Sequence, residues 1–388
     1  MWLFSAFLYF CSVETKKCIM AKYIHQREGW YEFCWDSQKI SNLLAEVRNL
    51  QGRLMGKMAM LGFDVQTQST LDTITLDILK SSEIEGEKLN RQQVRSSLAR
   101  RLGIVFAGMV NSSHNIDGLA EMMLDATQLY DQPLTEERLF GWHAALFPTG
   151  HSGPYKIDVA CYRKGEMQVV SGPMGREKVH YEAVPAKDVK AEMDRFLFWL
   201  NHDKSHDNVV KAAIAHIWFV FIHPFDDGNG RIARTISDML LARSDDSALR
   251  FYSMSAQINK ERKAYYKAIE KTQYQTEESD LTLWMLWFLQ CLKSALLESE
   301  NTLQSVMRKA TFWANHLQSS FNDRQVRMLN LLFDGTLRGK LPSSKWAKMC
   351  KCSQDTATRD IKTLMERGIL QQEEGGGRST SYRLADGL

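Results

Sequence analysis

His223-Pro-Phe-Asp-Asp-Gly-Asn-Gly-Arg-Ile-Ala-Arg234 joins two strongly apolar segments, and its reading sets the fold. Before it, Val209 to Phe221 carries Ala212, Ala213, Ile214, Ile217, Trp218 and Phe219, the composition of a buried central helix. After it, Ile232, Ala233, Ile236, Met239 and Leu240 begin a second helix. By itself Asp227-Gly228-Asn229-Gly230 reads as a turn, since Asp-Gly and Asn-Gly favour positive backbone angles. Between two such helices it reads differently. Successive amides of a glycine-rich loop that opens a helix form an anion nest, reinforced by the positive end of the helix dipole. Arg231 and Arg234 lie three apart on that first turn and can reach one ligand. Amides with two guanidinium groups suit a polyphosphate better than a single carboxylate.

Other phosphate and metal motifs fit less well. A Walker loop needs Lys-Ser or Lys-Thr after its glycines, and a dinucleotide fingerprint needs a preceding strand. An EF-hand with Gly230 at its sharp turn would put Phe225 and Ile236 at ligand positions. A zinc site lacks partners near His223.

The segment resembles the signature of the Fic family, H-x-F-x-[DE]-G-N-G-R-x-x-R. His223, Phe225, Asp227, Gly228, Asn229, Gly230, Arg231 and Arg234 match every specified position. The resemblance covers the chain from Tyr23 onward and implies protein adenylyl transfer, with ATP as AMP donor and Mg2+ as cofactor. By that resemblance His223 is the general base taking a proton from a target Ser, Thr or Tyr hydroxyl, and Asp227 holds the metal. Asn229 with the amides of Gly228 and Gly230 stabilises the α-phosphate, Arg231 takes the β-phosphate and Arg234 the γ-phosphate. Phe225 buries its ring and anchors the loop. Tyr265, Tyr266 and Gln273 match positions that line the adenine pocket in relatives.

Two further features acquire meaning from the resemblance. Met167, Gln168, Val169, Val170 and Ser171, a Gly-Pro-Met-Gly turn, and Lys178 to Glu182 read as two short strands. A lone hairpin in a helical domain has no sheet to join, so it is packed on helices or used as a flap. In the family it docks the target by strand addition. Ser81-Ser-Glu-Ile-Glu85-Gly86 matches the family's inhibitory pattern, [ST]-x-x-x-E-[GN]; Glu85 would pair with Arg234 and keep it from the γ-phosphate.

The rest of the chain reads as helical. From Ile40 to Leu61, Leu43, Leu44, Val47, Leu50, Leu54 and Met58 keep helical spacing. A second helix runs from about Thr70 to Glu85 and stops at Gly86; Asn90 caps a third, Arg91 to Leu102, ended by Gly103. Trp284 to Leu297 is another apolar helix. From Ser319, a helix over Val326, Leu329, Leu332 and Phe333 ends near Asp334-Gly335. A short one capped by Ser343 or Ser344 holds Trp346 and Met349, and Asp355 to Arg367 stops at Gly368. Ile369-Leu370 and Ser381 to Leu384 then flank Glu373-Glu-Gly-Gly-Gly-Arg378, the order of a winged helix-turn-helix.

The expected fold is mainly α: a Fic-type helical core with a β-hairpin flap, an N-terminal helical module and a C-terminal winged helix. The expected divisions are 20–110 for the module, 111–300 for the core and 301–388 for the winged helix. Residues 1–19, with the apolar run Trp2 to Val13, read as a non-native extension before a start at Met20; the run is too short to span a bilayer and lacks the flanks of a secretory signal.

Composition sets outer limits. Of 388 residues, 44% are hydrophobic and 24% charged, with 49 basic against 46 acidic residues, so bulk attraction to nucleic acid is not indicated. Seven scattered cysteines draw neither a disulfide framework nor zinc knuckles, which fits a reducing cytoplasm; the resemblance implies a bacterial protein, and no membrane partner is expected. The partners implied are target proteins, the chain itself among them. Alternatives stay open: AMP removal at the same site, another donor such as UTP or CDP-choline, or a toxin restrained by an antitoxin. A DNA-binding regulator would use Lys345, Lys348, Lys351, Arg359, Lys362, Arg367, Arg378 and Arg383 on phosphates. Winged helices also serve as protein-binding or dimer modules, which leaves a homodimer open.

Overall fold

A computed structural model of the chain describes residues 21–106, 108–171, 178–316, 320–333, 337, 339–373 and 380–386. The expected extension before Met20, the Gly172–Gly175 turn, the helix end at Asp334-Gly335 and the glycine-rich tip after Glu373 lie outside the described residues.

The N-terminal helices form where polar caps and glycine stops bracket apolar stripes. In α1 (Ser37–Ala59) the Asp36 side chain accepts from the Gln38 and Lys39 amides, and Ile40, Val47, Leu50, Leu54 and Met58 are buried. Helix α2 (Phe63–Ile84) starts at Phe63, well ahead of the expected Thr70, because Gly62 in extended conformation serves as its N-cap. Its end matches expectation: Gly86 takes φ +87° just after Glu85. Asn90 caps α3 (Arg91–Arg101), accepting from the Gln92 and Gln93 amides.

The middle of the chain adds α4 (His114–Gln128), α5 (Glu136–Leu146), a two-residue hairpin β1 (His151–Ser152) and β2 (Tyr155–Lys156), then the longer hairpin β3 (Gln168–Ser171) and β4 (Lys178–Glu182). Both hairpins are antiparallel and joined to no other strand among the described residues; β3–β4 carries a bulge at Val169/Val170. The β1–β2 hairpin was not anticipated, since its strands are too short to show any alternation. Helices α6 (Val189–His202), α7 (Asn208–Ile222), α8 (Asn229–Asp245), α9 (Met254–Lys260), α10 (Arg262–Gln273) and α11 (Thr282–Asn315) complete the core. The Asp207 side chain caps α7, which is buried along nearly its whole length and packs against α6, α8 and α11. Helix α11 runs well past the expected Leu297, carried by Leu303 and Phe312, and also packs on α1. The expected division at 300/301 therefore falls inside one helix.

Beyond α11 come α12 (Asp323–Phe333), α13 (Ser343–Cys350) and α14 (Gln354–Glu366), then antiparallel β5 (Leu370–Gln372) and β6 (Tyr382–Leu384). They share a separate apolar cluster around Met328, Leu329, Trp346, Ile361 and Leu364. Pro342, not a serine, is the N-cap of α13; the Ser343 hydroxyl instead accepts from Gln354. No helix among the described residues is long and apolar enough to cross a membrane.

Candidate active site

Helix α7 ends abruptly at His223. Its backbone adopts φ +51°, ψ +60°, its amide donates to Phe219 at 3.0 Å, and Pro224 follows, which cannot continue the helix. A left-handed histidine is uncommon and turns the side chain out of the helix line. The Nδ1 atom lies 3.1 Å from the Val220 carbonyl, an acceptor only, so Nδ1 carries the proton and Nε2 is left with a free lone pair. The half-buried imidazole has its pKa lowered, chiefly by burial, with the Arg163 charge adding to the effect.

The loop from Pro224 to Gly228 is held from inside. The Phe225 ring is fully buried and stacks on His143 with centroids 4.2 Å apart. The His143 Nδ1 accepts from the Ala160 amide at 3.2 Å, which leaves Nε2 protonated to donate to the Asp227 carbonyl at 3.2 Å. Asn229 closes the turn: Phe225 N–H donates to its Oδ1 at 2.9 Å and its Nδ2 donates to the Phe225 carbonyl at 2.7 Å. Asn229 was expected to stabilise a phosphate; its buried side chain spends one Nδ2 hydrogen and Oδ1 on the loop, which leaves the second Nδ2 hydrogen and the backbone amide for an anion. Gly228 has φ +82°, and a Cβ there would press on the rings and methyls of Phe147 and Leu146.

Helix α8 then opens at Asn229, and its first-turn amides have no intrahelical acceptor. They border a cavity of about 920 Å3 lined by His223, Asp227, Gly228, Asn229 and Gly230. From other elements come Glu85, the C-cap of α2, Gln168 to Val170 of β3, and Tyr265, Tyr266, Lys267 and Gln273 of α10. The Asp227 carboxylate is 45% exposed there; one oxygen accepts from the Gly228 amide at 2.6 Å, the other from the Ser152 hydroxyl of the β1–β2 hairpin.

The two arginines are not on the open wall. Arg234 is 2% exposed and lies behind Glu85: Nη2 is 2.7 Å from Glu85 Oε1 and 3.1 Å from the Ser81 carbonyl, and Nε is 2.9 Å from the Ser81 hydroxyl. Its Nη1 has no hydrogen-bond partner among the described residues. Burial opposes the charge, but the Glu85 carboxylate holds the guanidinium pKa above its usual value. Glu85 also covers the loop, for its Oε1 occupies the space beside the Gly230 Cα that a side chain would fill. Arg231 stacks over Phe147 at 5.0 Å and faces Glu87 at 3.4 Å. Both guanidinium groups face acids rather than a shared cavity.

Tyr265, Tyr266 and Gln273, the expected base pocket, all line the one cavity. Tyr266 is half exposed and turned into the cavity. Tyr265 is buried, its hydroxyl 2.9 Å from His216 Nε2, while His216 Nδ1 is 2.9 Å from the Ser237 hydroxyl. Gln273 donates to the His180 carbonyl of β4 at 2.8 Å, tying the hairpin to α10. Met167 pins the hairpin base, its carbonyl accepting from Ala183 at 2.9 Å, whereas Val169 and Val170 are exposed. Sequence reasoning passed over His143, Ser152, Arg163 and His216. Only His143 left a trace, as a polar residue on the Leu139, Trp142, Leu146 apolar face of α5.

Residues 133–241 match the Fic/DOC family, and residues 23–104 match a domain family of unknown function (DUF4172). The chain is 33% identical over 172 residues to protein adenylyltransferase Fic of Drosophila virilis, covering 43% of this chain and 32% of that protein. Against the protein of the same name from Drosophila ananassae it is 32% identical over 166 residues, 42% and 30% of the two chains. The chain spans about a third of the length of these curated relatives. A crystal structure of a Fic family protein from Desulfovibrio desulfuricans G20 covers 90% of this chain and 96% of that one, with a TM-score of 0.52 and 22% identity. The central segment is therefore homologous to Fic-family adenylyltransferases, and the mainly helical fold with small hairpins is consistent with a Fic-type core.

Proposed function

We propose that this protein transfers AMP from ATP to a Ser, Thr or Tyr hydroxyl of a protein, and that Glu85 restrains it. The observation that carries the reading is one cavity shared by an imidazole with a free Nε2 and by the uncommitted first-turn amides of α8. The target hydroxyl gives its proton to His223 Nε2 as its oxygen bonds to the α-phosphorus. The α–β phosphoanhydride bond breaks and pyrophosphate leaves. The amides of Asn229 and Gly230, joined by that of Gly228 once it leaves Asp227, stabilise charge on the α-phosphate, as preorganised donors do. Arg231 and Arg234 serve the leaving phosphates once Glu87 and Glu85 release them. The unpartnered Nη1 of Arg234 is a buried donor awaiting an acceptor.

The residues present fit Mg2+. Asp227 offers an exposed hard carboxylate whose present partners are an amide, a hydroxyl and, at 4.0 Å, the Arg231 guanidinium, and such a site draws its other ligands from phosphates and water. Bound there, the metal would neutralise charge between the α- and β-phosphates. Tyr266 is the face on which adenine stacks. The exposed β3 supplies a strand edge for the target, and three helices followed by a short antiparallel ladder fit a C-terminal winged helix.

The test is donor labelling: ATP labelled at the α-phosphate marks protein, whereas ATP labelled at the γ-phosphate yields only labelled pyrophosphate. Protein labelled from the γ position would show a kinase and overturn the proposal. Removal of AMP is a second reading, favoured by the Glu85 carboxylate facing the cavity of His223, where it can orient a water. DNA binding ranks lower. Lys345 donates to the Lys340 carbonyl and Arg367 to the Ser320 carbonyl, while Lys362 pairs with Glu366 and Arg383 with Asp386, so four of the expected phosphate contacts are engaged within the domain.

A further inference from the structure

Arg163 belongs to no motif, yet it is buried between the hairpin and the end of α7. Its Nε donates to the His223 carbonyl at 2.7 Å and its Nη2 reaches the Ile222 carbonyl at 3.4 Å. On the other side Nη1 donates to Gly165 at 2.8 Å and Nη2 to the Val184 carbonyl. Its own amide donates to Pro224 at 2.9 Å. None of these acceptors is a carboxylate.

The four carbonyls have a pattern. Ile222 and His223 are the last of α7, where helical carbonyls lack amides and the dipole favours a cation. Gly165 and Val184 are the two feet of the hairpin, just outside the Ala183 to Met167 bond that closes it. One rigid fork thus joins both strands to the peptide of the histidine. A guanidinium does this because its donors are coplanar and fixed; an ammonium would keep the charge but not the angles.

We infer that Arg163 is a positioning residue that sets the register between the target-docking hairpin and the His223 imidazole. The inference rests on the transfer reading above. A target strand laid on β3 takes its height from the hairpin, and the imidazole takes its direction from the His223 backbone. Arg163 fixes one against the other. ATP is held by α8, its loop and the Tyr266 face of α10, and the guanidinium itself bonds none of these residues.

The experiment uses the full chain carrying Glu85→Gly, with itself as acceptor and α-labelled ATP. Adding Arg163→Lys is expected to lower the labelling rate at saturating ATP about 10- to 100-fold, as displacement by an ångström does. The half-saturating ATP concentration should stay within about twofold, since only ordering of the acceptor is lost. Arg163→Gln, which also removes the charge, should lower the rate at least as far. A Lys variant as fast as its parent overturns the inference, and so does a half-saturation that rises in step with the lost rate. Hydrogen exchange supplies a readout without activity. Both variants should speed exchange in peptides covering 167–171 and 178–184 while α8 stays protected. Equal loss of protection in α8 would mean that Arg163 merely supports the domain, and unchanged exchange throughout would also refute the strap. If the Glu85→Gly parent labels nothing, the transfer reading fails, and the exchange data still decide the strap.

Discussion

If the proposed transfer is restrained by Glu85, replacing it by glycine should raise labelling, and the size of the effect can be worked from one contact. Arg234 Nη2 lies 2.7 Å from Glu85 Oε1, with the arginine 2% and the glutamate side chain 35% exposed. A charge-assisted hydrogen bond contributes about 1.5–3 kcal/mol. Water at the glutamate screens the pair, which lowers the figure to about 1–2 kcal/mol. A γ-phosphate must displace that carboxylate before it can bind Arg234, so its removal should strengthen productive ATP binding about 5- to 30-fold. Glu85→Gln should fall between, since a neutral amide still covers Gly230 but no longer repels phosphate. Arg234→Ala breaks the same pair from the other side, yet it should abolish labelling, because the arginine itself is needed. The assay is self-labelling from α-labelled ATP at subsaturating nucleotide, with thermal shift recorded with and without ATP. Without nucleotide, Glu85→Gly should be less stable by about 1–2 kcal/mol, since Arg234 stays buried with only Ser81 as partner. Labelling at the parent rate, with equal ATP shifts for both proteins, would refute the reasoning.

Buried polar groups give two further expected outcomes. Asn229→Ala strands the Phe225 amide and carbonyl, so it should cost about 2 kcal/mol of stability together with at least about tenfold in labelling. Urea denaturation beside the labelling assay checks this; lost labelling at unchanged stability would mean that the Asn229 amide acts on the nucleotide instead. His216, fully enclosed, has its pKa pushed down to about 3, first by burial and then by the Arg234 charge. Between an unfolded value of about 6.5 and that folded value, the unfolded chain binds the extra proton, so this contribution to stability falls as pH falls. Asp238, raised to about 6 by burial, acts in the opposite sense, so the comparison is made against His216→Gln, in which every other group is common. The stability difference between parent and variant should shrink by about 3 kcal/mol from pH 7.5 to pH 4.5 in urea titrations; a constant difference would show that His216 is not held neutral.

What could be read from the sequence was local. The α7–loop–α8 junction announced itself because apolar runs, glycines and arginines lie within one short segment. Gly86 and Gly103 marked helix ends because a positive φ is a property of single residues. Contacts across the chain were not legible. Nothing near Arg163 points to Val184 or His223, and a serine two residues into a minimal hairpin gives no hint of Asp227. Residue type also misled where one side chain can serve two ends. Asn229, a phosphate ligand by resemblance, also latches the loop, and of two adjacent tyrosines on the cavity wall one is buried and one half exposed. Helix α11 ran on because Leu303 and Phe312 found partners that periodicity around Leu297 does not reveal.

The left-handed stop at His223 has a consequence for how this protein can change over time. Each residue added to an α-helix rotates the chain beyond it by about 100°. Because the imidazole is aimed by the last turn of α7 and that helix starts at the Asp207 cap, one insertion or deletion between them would swing Nε2 off the cavity. Loops elsewhere can lengthen freely; the count from 207 to 223 cannot drift.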